Sequence, residues 1–403
     1  MGKAAKFLYL LAGRLKVLGL LDQYSGAAAA YSLRSLSTST TNVVKVRRDS
    51  DDSEQDFTAS DITNGTLLSF VNADVEKIVN GDFATDTDWT KGTGWSISGG
   101  TANCDGTQTS NSEFKTTVGI AVQGVQVTFS FEVKNYSAGT LNATLEGTGT
   151  LDFSGINANG VYSTTATSSD PLPKVTFTAS SDFIGSIDDV SVIQSTANGL
   201  VTTWYDQSGN GNNATQATAA NQPKIVSSGT LVTENGKAAL DFDGTDDALE
   251  TSGYIVQLSA NDATVFAVRS VTSISGGRYM LTEGDVVSPY SSNFILGDSN
   301  GINVLWVNTT QFGSITVAQQ DLLAFTYDGT NFQAYLNGAI AGGVGTATVN
   351  SEVFDRTVIG ASADFSAGFF TGKIQEIITY KSDQSANRTG IEANINAHYN
   401  IYP

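Results

Sequence analysis

Cysteine, histidine, proline and positive charge are all scarce in this chain of 403 residues, and each scarcity closes off a class of protein. The single cysteine, Cys104, cannot form an intrachain disulfide, so the fold must rest on apolar cores. With His398 as the single histidine, the usual Cys/His zinc set cannot be assembled within one chain. A Ser-His-Asp relay would have to use that same residue, near the end of a helical pattern, where a histidine more commonly complements the helix dipole. No GxSxG elbow and no phosphate-cradling P-loop occurs. Lys and Arg number 21 against 40 Asp and Glu, a net charge of −19, and such a field repels phosphate backbones. Nucleic acid is therefore not an expected partner. Arg14 and Lys16 interrupt the apolar segment near the start, which falls short of the roughly 20 residues of a transmembrane helix.

Glycine, by contrast, is abundant: 41 residues against 5 prolines, placed between β-branched and aromatic runs rather than in tracts. That pattern predicts short strands joined by tight turns. The length exceeds what one ordinary core accommodates, so two domains are expected.

Residues 3–21, KAAKFLYLLAGRLKVLGLL, carry Phe7, Leu8, Leu11, Leu15 and Leu18 at helical spacing among basic residues. This predicts an amphipathic N-terminal helix within a segment 1–26. The alternative is a signal peptide, with Ala27–Ala30 supplying small residues for cleavage. A retained helix would dock on a partner or on a second copy of the chain.

Beyond it the pattern is that of strands: AAAAYSL at 27–33, NVVKVRR at 42–48, GLVTTWY at 199–205 and ATVFAVRSV at 263–271. DQSGNGNN at 206–213 predicts a tight reversal, because glycine and asparagine tolerate positive φ. In 322–342, Asp328-Gly329 and Asn337-Gly338 predict two hairpins. FFTGKIQEIITYKSD reads as a strand leading into a C-terminal helix from about Ser385, with Ile391, Ile395 and Tyr399 on one face. Short antiparallel strands closed by one helix make a two-sheet sandwich.

WYDQSGNGNNATQ, NGKAALDFDGTDDAL, TYDGTNFQAYLNGA and GKIQEIITY together resemble the laminin-G/concanavalin-A-like jelly rolls over most of 199–403. AAYSLR, VVKVRR and YDQSGNGN also resemble the β-sandwich of the arabinofuranosidase B family, as found in viral and marine bacterial proteins. The fungal members of that family carry adjacent cysteines at the sugar site, and this chain has none there.

The outer pattern breaks after LLSFV at 67–71 and resumes at NGLVTTWYDQSG, which predicts an inserted domain at 76–196 within an outer domain of 27–75 plus 197–403. The insert opens near NGDF, at Asn80–Phe83, and closes with IDDVSV, at Ile187–Val192. In both features it resembles carbohydrate-binding jelly-roll modules. The fold class is thus all-β: two nested antiparallel β-sandwich jelly rolls with an N-terminal and a C-terminal helix.

In such modules sugars stack on aromatic rings, which makes Trp89, Trp95 and Tyr136 the candidate carbohydrate-binding residues. Core packing is the competing account of each. Asp188 and Asp189 match a position where the resemblance implies a structural calcium ion, Ca2+. Asp206, Asp241, Asp243, Asp246 and Asp247 could supply the paired carboxylates of a glycosidase, but aspartate is also a preferred turn residue. The resemblance and the retained N-terminal segment together imply a non-enzymatic structural protein of a virion surface, capsid-associated or forming a fibre or spike. It would display its jelly rolls to host glycans and join other virion proteins, or copies of itself, through the N-terminal helix. An arabinofuranosidase-type glycoside hydrolase and a secreted, extracellular bacterial polysaccharide-binding protein are the alternatives.

Overall fold

The computed structural model describes residues 8–11, 14–120, 122, 125–146, 151–251, 253–258, 262–272, 277–284, 294–299, 302–307, 310–316, 320–346 and 356–403. Strands account for 48% of the chain and helices for 9%, so the expected all-β class is what forms. The chain divides into two compact units. One comprises Met1–Arg47, Glu54–Leu68 and Gly199–Pro403, and the other Arg48–Ser53 and Ser69–Asn198.

The outer unit is organised around one strand, Thr371–Tyr380. Along one edge it pairs antiparallel with Ala263–Val271, from Thr264↔Tyr380 to Val271↔Gly372. Its other edge is shared: Leu240–Asp243 takes the first half, with Leu240 opposite Ile374, and Ala27–Ser32 takes the second, with Ser32 opposite Glu376. Gln320–Tyr327 extends the sheet beyond 263–271. Both 263–271 and 371–380 are buried on nearly every residue, as strands covered on both faces must be. Successive side chains point to opposite faces. One set, Phe266, Val268, Leu322, Ala324, Ile378 and Tyr380, packs under the C-terminal helix Arg388–Tyr399 through Ile391, Ile395 and Tyr399. The other set, including Val265, Ala267, Phe325 and Ile377, is buried on the opposite face.

Turn chemistry sets the register where it was expected to. Leu336 pairs with Ala339 across Asn337 and Gly338, whose φ values are 50° and 80°, as a two-residue turn with both central residues left-handed requires. The Asn337 side chain also accepts from the Leu322 amide at 2.9 Å, which ties the hairpin to the neighbouring strand.

The DQSGNGNN reversal is a staple. Asp206 accepts hydrogen bonds from the Ala30 amide at 2.9 Å, the Ser208 amide at 2.8 Å, the Ser208 hydroxyl at 2.8 Å and the Asn212 amide at 3.0 Å. Gln207 donates to the Ser32 and Arg34 carbonyls and accepts from the Leu36 amide, while Asn210 and Asn212 donate to carbonyls of residues 27–28. The motif thus holds the Ala27–Ser32 strand in place from nearly 180 residues away in sequence.

In the insert, Val127, Phe129, Phe131 and Val133 alternate inward along Gln126–Ala138, as period two demands. That strand belongs to a six-stranded sheet with Gly160–Thr167, Ile184–Gln194, Thr101–Asp105 and Trp95–Ser98, and Val75–Glu76 pairs onto 193–194. A five-stranded sheet of Asp152–Ile156, Leu141–Leu145, Val175–Ala179, Ser112–Thr116 and Trp89–Lys91 supplies the second layer. One apolar cluster lies between the two.

The N-terminal amphipathic helix expected over residues 3–21 is corrected by the structure. Leu8–Leu11 and Arg14–Val17 are antiparallel strands, in register from Leu8↔Val17 to Leu11↔Arg14, and helix begins only at Leu20. Residues 1–7 and 12–13 of that segment lie outside the described residues. Arg14-Leu15-Lys16-Val17 alternates with period two, and that competing periodicity is the one the backbone follows. Leu20 and Leu21 then enter the outer core.

Asp206→Ala strands several amide donors at once, and we expect a loss of about 3 kcal/mol. For a domain of this size that is roughly 6–12 °C in Tm, measurable by thermal melting. A melt within a degree of the parent would show that the loop does not staple the strand.

Candidate functional site

The structure does not bring the aromatic candidates of the insert to a surface. Trp89 and Trp95 are each 6% exposed, and both stack on Phe114, with centroids 4.8 and 5.0 Å apart. Their indole N–H groups donate to the carbonyls of Asn80 at 3.0 Å and Ser112 at 3.4 Å. Core packing accounts for both residues. Tyr136 is half-buried, its ring 6.3 Å from that of Phe183 and its hydroxyl donating to the Gly139 carbonyl.

Asp188 and Asp189 do not converge. Lys134 reaches Asp188 at 2.8 Å and also bridges to Glu132 at 2.9 Å, so an ammonium already supplies the positive charge beside Asp188. Asp189 is exposed, with a φ of 48°.

Among the described residues, Asp243, Asp246 and Asp247 are a set of three carboxylates close enough to share a metal ion, their oxygens lying within 4.8 Å of one another. The turn itself explains the arrangement: the Asp243 amide donates to Asp247 at 2.9 Å, and Asp243 accepts from the amides of Thr245 and Asp246. Burial pushes the Asp247 carboxyl up to about 7, with the neighbouring Asp243 and Asp246 charges adding to the rise. Asp241 is raised as well, again by burial, and lies on the strand rather than in this turn.

Two concavities remain. On the insert, a pocket of about 430 Å³ is rimmed by Thr93, Thr109, Ser110 and Asn111. Its cations are engaged, Lys91 by Asp86 and Lys115 by Glu113 at 2.8 Å.

The other, of about 530 Å³, belongs to the outer unit and is assembled from four separate segments. Leu33–Ser35 follow the strand held by the Asp206 staple. Ala59–Thr63 form a short helix capped by Thr58, whose side chain accepts from the Asp61 amide. Leu231 to Ala238 contribute a hairpin, and His398 and Tyr399 the last turn of the C-terminal helix. Leu33, Ile62 and Leu231 give it apolar wall, and Ser35, Ser60, Thr63 and Thr233 give it hydroxyls.

Behind this pocket lies a buried polar node. Arg34 grips Glu376 with two nitrogens, at 2.7 and 2.9 Å, and donates a third hydrogen bond to Asn394 at 3.0 Å. Ser32 and Tyr399 donate to the same carboxylate at 2.8 and 3.1 Å. His398, expected to complement the helix dipole as a cation, is instead neutral at pH 7. Burial, with the Arg34 and Lys237 charges adding to it and Glu376 opposing them, lowers its pKa to about 4.

No protein family matches this chain, and no curated protein does. Among solved structures, Trypanosoma rangeli sialidase in complex with the inhibitor DANA is similar at 15% identity and TM-score 0.36, over 49% of this chain and 30% of that one. Domain 4 of AbnA, a GH43 extracellular arabinanase from Geobacillus stearothermophilus, in complex with arabinotriose, is similar at 17% identity and TM-score 0.36, over 47% of this chain and 91% of that domain. The Ruminococcus gnavus IT-sialidase CBM40 bound to alpha2,3 sialyllactose is similar at 16% identity and TM-score 0.31, over 39% and 95%. This chain thus spans less than a third of the sialidase but nearly all of the two smaller domains. At these identities and scores the likenesses assign neither substrate nor activity.

Two outcomes follow from the geometry. Trp89→Ala should destabilise the insert by about 3–5 kcal/mol, since it empties a core site. A folded variant with an unchanged Tm and altered sugar binding would contradict that interior placement. Asp247 holds a proton in the folded state that the unfolded chain has lost between about pH 4 and 7, so its contribution to stability falls as pH rises through that window. Asp247→Asn should therefore gain Tm relative to the parent at pH 8 compared with pH 4; equal differences at both values would remove Asp247 as the cause.

Proposed function

We propose that this chain is a non-catalytic glycan-binding protein that uses the outer-unit pocket at Arg34, Ser60, Lys237 and His398. The observation that carries the reading is the composition of that pocket: it has the size of a small-ligand site, hydroxyls and apolar wall suited to a sugar ring, and no aspartate or glutamate lining it among the described residues. Glycoside hydrolysis by the usual route needs two carboxylates flanking the bond. Glu376, behind the pocket, is committed to Arg34.

Display on a virion surface, for attachment to host glycans, is the setting we propose, on the strength of the resemblance of its motifs to sandwiches of viral and marine bacterial proteins. Docking through an N-terminal helix is not part of the proposal, because that segment forms strands. A hydrolase reading has one observation in its favour, the adjacent Asp243 and Asp247 carboxylates with Asp247 poised near neutrality. Neither residue lines either of the two pockets described.

A glycan array probed with the full chain, with calcium and with a chelator, tests this directly. Selective binding is expected, and Ser60→Trp, which fills the pocket from an exposed position, should abolish it without lowering Tm. Release of chromophore from aryl glycosides would overturn the non-catalytic reading. Binding that survives Ser60→Trp but is lost in Asn111→Trp would move the site to the insert. Lys134 already neutralises Asp188, so chelation should leave binding and Tm unchanged; a fall of several degrees that Asp188→Asn abolishes and Asp246→Asn does not would instead place calcium at Asp188 and Asp189.

A further inference from the structure

The outer pocket has an electrostatic character at odds with the chain around it. In a protein of net charge −19, this cavity is lined by Arg34, Lys237 and His398 and, among the described residues, by no acid. Arg34 is satisfied by Glu376 and Asn394. Lys237 is not satisfied: its cross-strand neighbour Glu234 is taken by Lys373 at 3.1 Å, and among the described residues the Lys237 ammonium has no ion-pair partner. His398 is half-buried at the pocket wall, with an edge-on ring contact to Tyr399 at 4.6 Å and no hydrogen-bond partner for its ring nitrogens among the described residues. One unpaired ammonium and one unpartnered imidazole therefore share a concavity that also offers hydroxyls and apolar wall.

We propose that this pocket takes a carboxylate-bearing sugar, a uronic-acid unit of a polysaccharide, with the carboxylate on Lys237 and a ring nitrogen of His398, and the sugar ring against Leu33, Ile62 and Leu231. The inference rests on the glycan-binding reading and narrows it to an acidic saccharide. A carboxylate supplies what both groups lack, since it accepts from an ammonium and from an imidazole N–H at once. Desolvation in the pocket strengthens both contacts.

Because the chain has one histidine, His398 reports occupancy of the pocket by itself. The charges facing it are Arg34 and Lys237, which oppose protonation, and Glu376, which favours it. A bound carboxylate adds a second negative charge and must raise the titration midpoint. The experiment is NMR of the full chain labelled at histidine, titrated from pH 3 to 8 with glucuronate, glucose or acetate. Glucuronate is expected to shift the His398 resonance saturably and to raise its midpoint by about half a pH unit or more. Glucose and acetate should each need at least about tenfold higher concentration, since each makes half of the contacts. Lys237→Met should remove the glucuronate effect while leaving Tm unchanged.

Equal response to acetate would overturn the saccharide, and equal response to glucose would overturn the acid. No response to any of the three would overturn the site. A chain that binds neutral glycans on the array while His398 stays unmoved would sink this inference and leave the proposed function standing; failure to bind any glycan would sink both.

Discussion

The bridge from Arg34 to Glu376 is the interaction on which the outer unit turns. Glu376 sits in the middle of the central strand, Arg34 follows the first sandwich strand, and the hydroxyl of Tyr399 arrives from the C-terminal helix. A carboxylate 1% exposed is costly to bury, and its cost is offset only because both oxygens are occupied by a forked guanidinium and two hydroxyls. Those groups come from three parts of the chain, so the node forms only when strand order, strand register and helix position are all correct. The same node shapes the pocket in front of it. Arg34 faces the cavity with its hydrogen bonds already committed; burial first, and the Arg34 charge second, keep His398 uncharged, and among the described residues Lys237 is left as the pocket cation without an ion-pair partner.

The insertion is tolerated because each unit closes on itself. Residues 75–76 pair with 193–194, so the insert begins and ends at neighbouring positions of one sheet. The strand Gly199–Trp204, where the chain resumes the outer unit, pairs with Val44–Arg48, a strand made before the insert. Among the described residues, the cluster of the insert and the cluster under the C-terminal helix each draw on one unit alone.

The strands, the Asn337-Gly338 turn and the C-terminal helix were legible because their signals are local. Alternation in 263–271 and 126–133 depends on period alone, and positive φ at consecutive residues narrows the choice to a few side chains. The N-terminal segment was misread because leucines at 8, 11, 15 and 18 satisfy a helical period while Arg14–Val17 satisfies a strand period, and no local rule ranks the two. Trp89 and Trp95 looked like ligand platforms because alternation says that one face is buried but not which. Phe114, 19 residues or more downstream, decides it by taking both rings. The pocket was invisible as a motif, since its residues come from positions 33–35, 59–63, 231–238 and 398–399. The available signal was the lone histidine, and its value appears only when Arg34 and Lys237 are seen beside it.

The central strand also fixes an order of events in synthesis. Residues 27–32 leave the ribosome early, yet their partner at 371–380 is made some 340 residues later. Ten of the eleven strands of the insert's two sheets lie between residues 89 and 194, and the eleventh, Val75–Glu76, closes onto them. On a ribosome adding about 5–20 residues per second, the insert can fold while the outer sandwich still lacks its middle strand. During that interval the strand at 27–32, rich in alanine and without its pairing edge, is held by the loop at 206–213 once that loop has been made, and its shortness limits errant pairing before then. The inner domain is thus a finished body carried on an unfinished one, and segments made after it, 371–380 and 398–399, complete both the sheet and the pocket.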